Sequence, residues 1–169
     1  MLDVRLPDYP FAISLYVWFR DLDAMGHVNN AVYFTYFEQA RTRYWLSMLS
    51  GETTASPLHH PRPQENDYKK LDFVVVHAEC DFVASAEMGD SLLVGCRIPE
   101  IRKSSFVFEY RVVTAEKTGS DADSRLIATG KTVQAIYDWD TKKTLPFPDD
   151  LRKKVEAREG GRLKIVTTR

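Results

Sequence analysis

A carboxylate, an imidazole and two amides lie within a short stretch near the start of the chain: Asp23, His27, Asn29 and Asn30, with Gly26 between them. A carboxylate can attack a carbonyl carbon or direct a water molecule at one. Asn is a favoured helix N-cap, and the first turn of a helix presents unpaired N–H groups and the positive end of its dipole. Such donors can polarise a carbonyl oxygen. The stretch therefore has the residue types that acyl transfer needs.

A predicted strand and a predicted helix flank this stretch. Residues 11–20 alternate between two faces, one of them carrying the apolar residues from Phe11 to Phe19, which predicts a strand. Tyr16 and Trp18 lie on its second face, so we expect that face to be covered as well, by another subunit. Residues 30–49 repeat apolar side chains at helical spacing and predict a long helix largely wrapped by protein.

The rest of the chain predicts a sheet. Four strand-like runs follow the helix: Leu71–Val83, Ser91–Ile101, Ser105–Thr114 and Leu126–Asp138. Short connections between successive runs, with Gly89-Asp90 as the turn between the first and the second, imply antiparallel neighbours. A loop over residues 51–66 precedes the strands, and a short helix over residues 149–158 follows them. We expect one α+β domain over residues 1–158, with the helix against one face of the sheet, and a polar tail over residues 159–169.

The motif itself has a family resemblance. Asp-x-x-Gly-His-Val-Asn-Asn-x-x-Tyr, followed by Glu38-x-x-Arg41, resembles the hot-dog-fold acyl-CoA thioesterases of the 4-hydroxybenzoyl-CoA thioesterase type, in the branch with the His-Val-Asn-Asn signature. The resemblance implies a curved antiparallel sheet of about five strands wrapped around one long central helix. It also implies hydrolysis of acyl-CoA to free acid and coenzyme A without a bound cofactor. Because this family pairs its sheets edge to edge, we expect a homodimer or a dimer of dimers.

The resemblance assigns roles to the polar residues of the motif. Asp23 acts as nucleophile or as general base for water, and the backbone N–H of Asn30 is a donor to the thioester oxygen. We expect the Asn30 side chain to cap the helix. His27 either takes part in acid–base chemistry or holds the turn by a structural hydrogen bond. Gly26 supplies a backbone conformation that other residues resist. Asp21 is the less favoured carboxylate, expected to be solvated.

Two further groups are candidates for substrate binding. The first is Gly26, Val28 and Asn29 of the motif with Tyr33, which forms core or acyl-pocket wall. The second is the turn Arg102, Lys103, Ser104 and Ser105, which either holds coenzyme A phosphates or pantetheine or is a solvated hairpin tip.

Composition excludes several other functions. The formal net charge of −1 does not favour nucleic-acid binding. Cys80 and Cys96 form no disulfide framework, and His59-His60 has no matching ligand cluster, so we expect no metal. The sequence contains neither a signal-peptide pattern nor a membrane-spanning apolar run, which predicts a cytoplasmic protein.

Two alternatives share the fold. Plant acyl-carrier-protein thioesterases place an Asn two residues after the Asp, where this chain has Met25, which favours a coenzyme A thioester. The same difference, with the position of His27, departs from the Asp-x-Asn-x-x-His motif of hot-dog enoyl hydratases. A hydratase or dehydratase and a non-catalytic acyl-CoA binder remain as alternatives, because fold does not fix activity.

Overall fold

The structure, a computed structural model, describes residues 6–50, 73–115 and 124–166. The predicted loop over residues 51–66 lies outside the described residues, as does the end of the predicted tail. Two helices and seven strands are present in the described part. In chain order they are β1 (Phe11–Tyr16), α1 (Asn30–Ser50), β2 (Phe73–Phe82), β3 (Ser91–Ile101), β4 (Ser105–Thr114), β5 (Leu126–Asp138), β6 (Lys143–Thr144), α2 (Asp149–Glu159) and β7 (Lys164–Ile165).

The five long strands form one antiparallel sheet in the order β1-β3-β4-β5-β2. The short β6 pairs with β5, and the short β7 pairs in parallel with β3. Among the described residues, β1 and β2 form the edges, so each leaves one row of backbone groups without a partner strand. This arrangement confirms the α+β prediction, with strands β3, β4 and β5 bounded as the alternation predicted. The expected pairing of the first strand-like run with the second is wrong, because β2 pairs with β5 instead.

Helix α1 covers one face of this sheet because its apolar stripe is unusually aromatic. The ring of Phe37 stacks on that of Tyr110 at 4.4 Å and lies directly over Gly130 of β5. Further along the helix, the ring of Trp45 packs against the rings of Phe73 and Phe106, with 5.2 Å between ring centroids in each pair. Burial of rings of this size dominates core energetics, so this face sets the position of the helix on the sheet.

The first strand ends earlier than the alternation predicted. β1 stops at Tyr16, and residues 19–21 form a 3₁₀ turn whose N–H group at Asp21 donates to the Trp18 carbonyl at 2.9 Å. The prediction that Phe19 shares the buried face of Phe11 is therefore wrong: Phe19 is 79% exposed, whereas Phe11 is buried. Period two holds only while the backbone is extended.

Residues 159–166 pack against the domain. The Glu159 side chain is buried, where its Oε1 accepts hydrogen bonds from the Tyr44 hydroxyl of α1 and from the Ile98 N–H of β3, the latter at 2.8 Å. Burial raises the pKa of this carboxyl, which these two donors oppose. The chain then continues into β7 beside β3. The domain division at residue 159 stays a prediction.

Gly130 tests the seating of α1. An added Cβ would lie against the Phe37 ring more closely than real Cβ contacts allow, so Gly130→Ala must displace the ring. We expect a loss of about 1–3 kcal/mol in the free energy of unfolding, measured with urea. Gly161→Ala is the matched control, because nothing lies within 4 Å of its added Cβ. Equal stability of the two variants would contradict close packing of the ring on Gly130.

Candidate active site

The motif residues form a small hairpin between the 3₁₀ turn and α1. The Asn29 N–H donates to the Asp21 carbonyl at 2.9 Å, and the Asp23 N–H donates to the His27 carbonyl at 2.8 Å. Leu22 and Val28 form an antiparallel bridge between these two bonds. The backbone thus places the segment before Asp23 beside the segment that starts the helix.

Gly26 makes the tip of this hairpin possible. Its φ of +81° lies in the left-handed region, which side chains with a Cβ resist, and its N–H donates to the Asp23 carbonyl at 3.1 Å. The prediction that Gly26 supplies an unusual backbone conformation is confirmed.

The Asp23 carboxylate uses its two oxygens differently. Oδ1 accepts the N–H groups of Met25 at 2.8 Å and His27 at 3.3 Å, an Asx-type arrangement within the turn. Oδ2 accepts no hydrogen bond from the described residues. The turn therefore orients the carboxylate through one oxygen and leaves the other available, so a structural role and a chemical role are compatible.

The start of α1 corrects one prediction. The side chain that caps the helix belongs to Asn29, whose Oδ1 accepts the Ala31 N–H at 2.9 Å, whereas the Asn30 side chain is exposed. The helix begins one residue earlier than a cap at Asn30 requires, since Asn30 is already its first residue. The Asn29 carbonyl accepts the Val32 N–H at 2.9 Å. Among the described residues, the Asn30 N–H has no acceptor.

The His27 ring is exposed and bonds to no described residue. Its backbone holds the turn instead, through the Asp23 bonds and through an antiparallel bridge to Glu87. A structural hydrogen bond from the ring is therefore not what braces the hairpin. The other interpretation, acid–base chemistry, stays a prediction.

Val28 and Tyr33 anchor the site to the rest of the domain. Val28 is buried, and its N–H donates to the Ala86 carbonyl in the β2–β3 connection at 2.9 Å. Tyr33 is buried too, with its ring 5.3 Å from Phe82 at the end of β2, and burial raises the pKa of its hydroxyl. Tyr33 is thus a core residue beside the hairpin.

Asp21 is not solvated, contrary to expectation. Its side chain is only 13% exposed, and its Oδ2 accepts the Trp18 N–H at 2.9 Å and the Tyr36 hydroxyl at 3.1 Å. The sequence analysis did not single out Tyr36, which lies within the predicted helix over residues 30–49. The signal in the sequence that could have pointed to Tyr36 is its phenol hydroxyl, which lies near the start of a helix that follows an acidic loop.

The turn from Arg102 to Ser105 lies elsewhere. This turn follows the C-terminal end of β3. The Asp23 hairpin lies at the opposite end of that strand, where His27 forms a bridge with Glu87 just before β3 begins. The length of that strand separates them, roughly 30 Å at about 3.3 Å per residue. One chain therefore does not bring the two predicted groups together.

The turn instead borders a shallow pocket of about 400 Å³. Arg102 and Lys103 line it together with Arg152 of α2, a cation that the sequence did not single out. Glu100 pairs with Arg102, and Asp149 lies 3.6 Å from Arg152. The Ser104 carbonyl accepts the Ile136 N–H at 2.9 Å, and the Ser105 carbonyl accepts the Arg102 N–H at 2.8 Å, so both serines hold the turn by their backbones.

The described residues contain neither a membrane-crossing helix nor a cluster of metal ligands. Neither α1 nor α2 combines the length and the apolar character that a membrane-crossing helix needs. Within residues 6–50, 73–115 and 124–166, no group of three His, Cys, Asp or Glu side chains is arranged to hold a metal ion.

Comparison with known proteins gives a consistent set of relatives. The model of the thioesterase-like superfamily matches residues 17–155. The acyl-CoA thioesterase YbgC of Haemophilus influenzae is 26% identical over 146 residues, which cover 86% of this chain and 93% of the relative.

Solved structures give the same result for the fold. A thioesterase from Thermus thermophilus, crystallised with coenzyme A and Zn, has a TM-score of 0.72 and 28% identity, covering 92% of this chain and 98% of its own. A 4-hydroxybenzoyl-CoA thioesterase variant in complex with 4-hydroxybenzoyl-CoA has a TM-score of 0.67 at 19% identity. The match covers 85% of this chain and 96% of that thioesterase. The hot-dog fold predicted from the motif is confirmed.

Replacing Asn29 and Asn30 one at a time with Ala tests which side chain caps α1. Asn29→Ala removes the acceptor of the Ala31 N–H, and we expect it to lower the free energy of unfolding by about 1 kcal/mol. Asn30→Ala removes an exposed side chain with no described partner, so its effect should stay within about 0.5 kcal/mol. Urea unfolding measures both. A larger loss for Asn30→Ala would return the cap to Asn30.

Proposed function

The chain belongs to the thioesterase-like superfamily, and from that membership we propose that it hydrolyses acyl-CoA thioesters to free acid and coenzyme A. The names of its relatives support this activity, since the Haemophilus influenzae protein is an acyl-CoA thioesterase and the Thermus thermophilus protein was crystallised with coenzyme A.

One observation carries the proposal: a carboxylate oxygen and a backbone donor are both left open on the same hydrogen-bonded hairpin. Oδ2 of Asp23 and the N–H of Asn30 have no partner among the described residues, whereas the neighbouring groups at Asn29, Ala31 and Val32 are all engaged. A thioester carbonyl needs an attacking group on one side and a donor for its oxygen on the other. These two groups supply those functions.

Asp23 can promote thioester hydrolysis by either of two routes. As general base, Asp23 takes a proton from water while the oxygen of that water adds to the carbonyl carbon. The tetrahedral intermediate then expels coenzyme A as a thiolate, which takes the proton held by the Asp23 carboxyl. As nucleophile, the carboxylate adds directly, expels the thiolate and leaves a mixed anhydride that water then cleaves. In each route the Asn30 N–H stabilises the charge on the carbonyl oxygen. The exposed His27 ring and the backbone of Gly26, Val28 and Asn29 belong to the same hairpin, and we place the thioester beside them.

We place the coenzyme A phosphates at the turn formed by Arg102, Lys103, Ser104 and Ser105. Arg102 and Lys103 border the shallow pocket, and Arg152 adds a third cation there. Because β3 separates this turn from Asp23 in one chain, the turn would serve the Asp23 site of a neighbouring subunit.

Two features support a homodimer or a dimer of dimers. The edge strand β2 leaves Val75, Val76 and Phe82 exposed over its ten residues. Tyr16 and Trp18 expose a second apolar patch near the hairpin, with Trp18 58% exposed. Exposed apolar surface of this kind usually marks an interface. The cytoplasmic location and the absence of a cofactor stay predictions from the sequence.

Asp23→Asn tests the chemistry, because it keeps the side-chain shape and removes the charge. We expect kcat for thiol release from acyl-CoA to fall at least about a hundredfold, the scale for losing a positioned base. Asp140→Asn is the control, since Asp140 is exposed and accepts no hydrogen bond through its side chain from the described residues. Turnover by Asp23→Asn at the parent rate would contradict the mechanism.

Two assays distinguish the thioesterase from the non-catalytic acyl-CoA binder and from the enoyl-CoA hydratase. A parent protein that binds acyl-CoA in calorimetry without releasing thiol would instead be the non-catalytic binder. Loss of the conjugated double bond of an enoyl-CoA, without thiol release, would select the hydratase.

Mixed oligomers test whether neighbouring subunits share a site. Chains with Asp23→Asn are co-expressed with chains carrying Arg102→Ala and Lys103→Ala, each under its own affinity tag, and hybrids are purified over both tags. A hybrid dimer then has one intact site in two, so at low acyl-CoA concentration we expect about half of the parent activity, although both homomeric variants are weak.

If the turn served its own chain, no hybrid site would be intact and activity would stay low. Light scattering that reports only monomer would also reject the shared site.

A further inference from the structure

Asp21 connects three parts of the candidate site. Its carbonyl accepts the Asn29 N–H at 2.9 Å, which holds the residue just before the Asn30 donor. Two residues further along the chain lies Asp23. The Asp21 carboxylate accepts the Trp18 N–H at 2.9 Å, which closes the 3₁₀ turn on the other side. One residue therefore fixes both the entry and the exit of the hairpin.

Tyr36 ties this residue to the helix. It lies on α1, is 3% exposed, and donates its hydroxyl to Oδ2 of Asp21 at 3.1 Å. Burial, and then the charge of Asp21, raise the pKa of the Tyr36 hydroxyl, so it stays protonated and remains a donor. A hydrogen bond to a charged acceptor is stronger than a neutral one. The pair thus joins residues 15 positions apart in the sequence.

We propose that the Tyr36–Asp21 hydrogen bond is a positioning device for the thioesterase reaction, which holds the Asp23 carboxylate and the Asn30 N–H at their working separation. The proposal rests on the proposed function. Neither Asp21 nor Tyr36 is required to touch the substrate. They act through the hairpin backbone, because that backbone carries the carboxylate and the helix start carries the donor.

The reaction makes this separation critical. The carbonyl carbon must meet the attacking group while the carbonyl oxygen meets the donor, and small misplacements of such groups cost large factors in rate. The hairpin has only a few backbone hydrogen bonds of its own and an exposed tip at Met25 and Gly26. A side-chain bond to the rigid helix therefore adds a restraint that the hairpin lacks.

Tyr36→Phe is the direct test, because it removes one oxygen and keeps the buried ring. We expect kcat to fall about tenfold or more while KM changes less than about twofold, since the bond acts on the geometry of attack and not on binding. Thiol release gives both constants, and calorimetry with coenzyme A should give an unchanged affinity.

Tyr44→Phe is the matched control. Tyr44 lies on the same helix, is equally buried, and donates its hydroxyl to a buried carboxylate, but that carboxylate is Glu159, far from the hairpin. We expect Tyr44→Phe to lower stability and leave kcat near the parent value. A kcat loss of the same size in both variants would assign the effect to general destabilisation and overturn the proposal.

Variants of Asp21 give a second, independent test. The oxygen of Asp21→Asn can still accept from Trp18 and Tyr36, whereas Asp21→Ala removes both bonds. We therefore expect Asp21→Asn to retain more turnover than Asp21→Ala. Adding Tyr36→Phe to Asp21→Ala should slow the reaction little further, because both changes remove the same interaction. Multiplicative losses in the double variant would show that the two residues act separately.

Amide hydrogen exchange separates this proposal from the proposed function. The Asn29 N–H, which donates to the Asp21 carbonyl, should exchange about tenfold faster in Tyr36→Phe than in the parent or in Tyr44→Phe. An unchanged exchange rate would overturn the positioning role even in an active enzyme. Absence of thiol release by the parent would reject the proposed activity, whatever the exchange rates are.

Discussion

The packing of Phe37 on Gly130 and Tyr110 holds helix α1 against the sheet. Gly130 lies opposite Tyr110 in the register of β4 and β5, so the two residues form one shallow seat on the sheet face, and the Phe37 ring fills it. A side chain at Gly130 would occupy that space. Because stacked rings tolerate little displacement in a close-packed interior, this contact sets how far along the sheet α1 lies.

The position of α1 then determines the geometry of the candidate site. Once the helix is seated, its N-terminus lies beside the β2–β3 connection, where the Ala86 carbonyl accepts the Val28 N–H. The hairpin is thus attached to the sheet at Val28 and to the helix through Asp21 and Tyr36. Its tip stays exposed, with the carboxylate oriented by backbone donors. A rigid scaffold with a polar loop at its edge is where reactive groups usually lie.

The same sheet limits what one chain can do alone. Strand β3 begins near the hairpin and ends at the basic turn, so a single copy presents the carboxylate at one end of the strand and the cations at the other. Tyr16 and Trp18 remain exposed near the hairpin, and the β2 edge lacks a partner strand within the described residues. In the arrangement that we propose, association of copies covers these surfaces and brings the basic turn of one copy to the Asp23 hairpin of another.

The local features of this protein follow from the linear pattern of its residues. Alternation located β3, β4 and β5, helical spacing located α1, and the motif predicted the unusual backbone conformation of Gly26. These features depend on neighbouring residues, so a linear pattern carries them. The catalytic role of Asp23 stays a prediction.

The remaining features are set by the folded arrangement of the chain. The helix start made Asn29 the cap instead of Asn30, and the early end of β1 exposed Phe19. The bonds Tyr36–Asp21 and Tyr44–Glu159 join residues distant in sequence. Partners of this kind are set by how helix and sheet pack together, which no local spacing encodes.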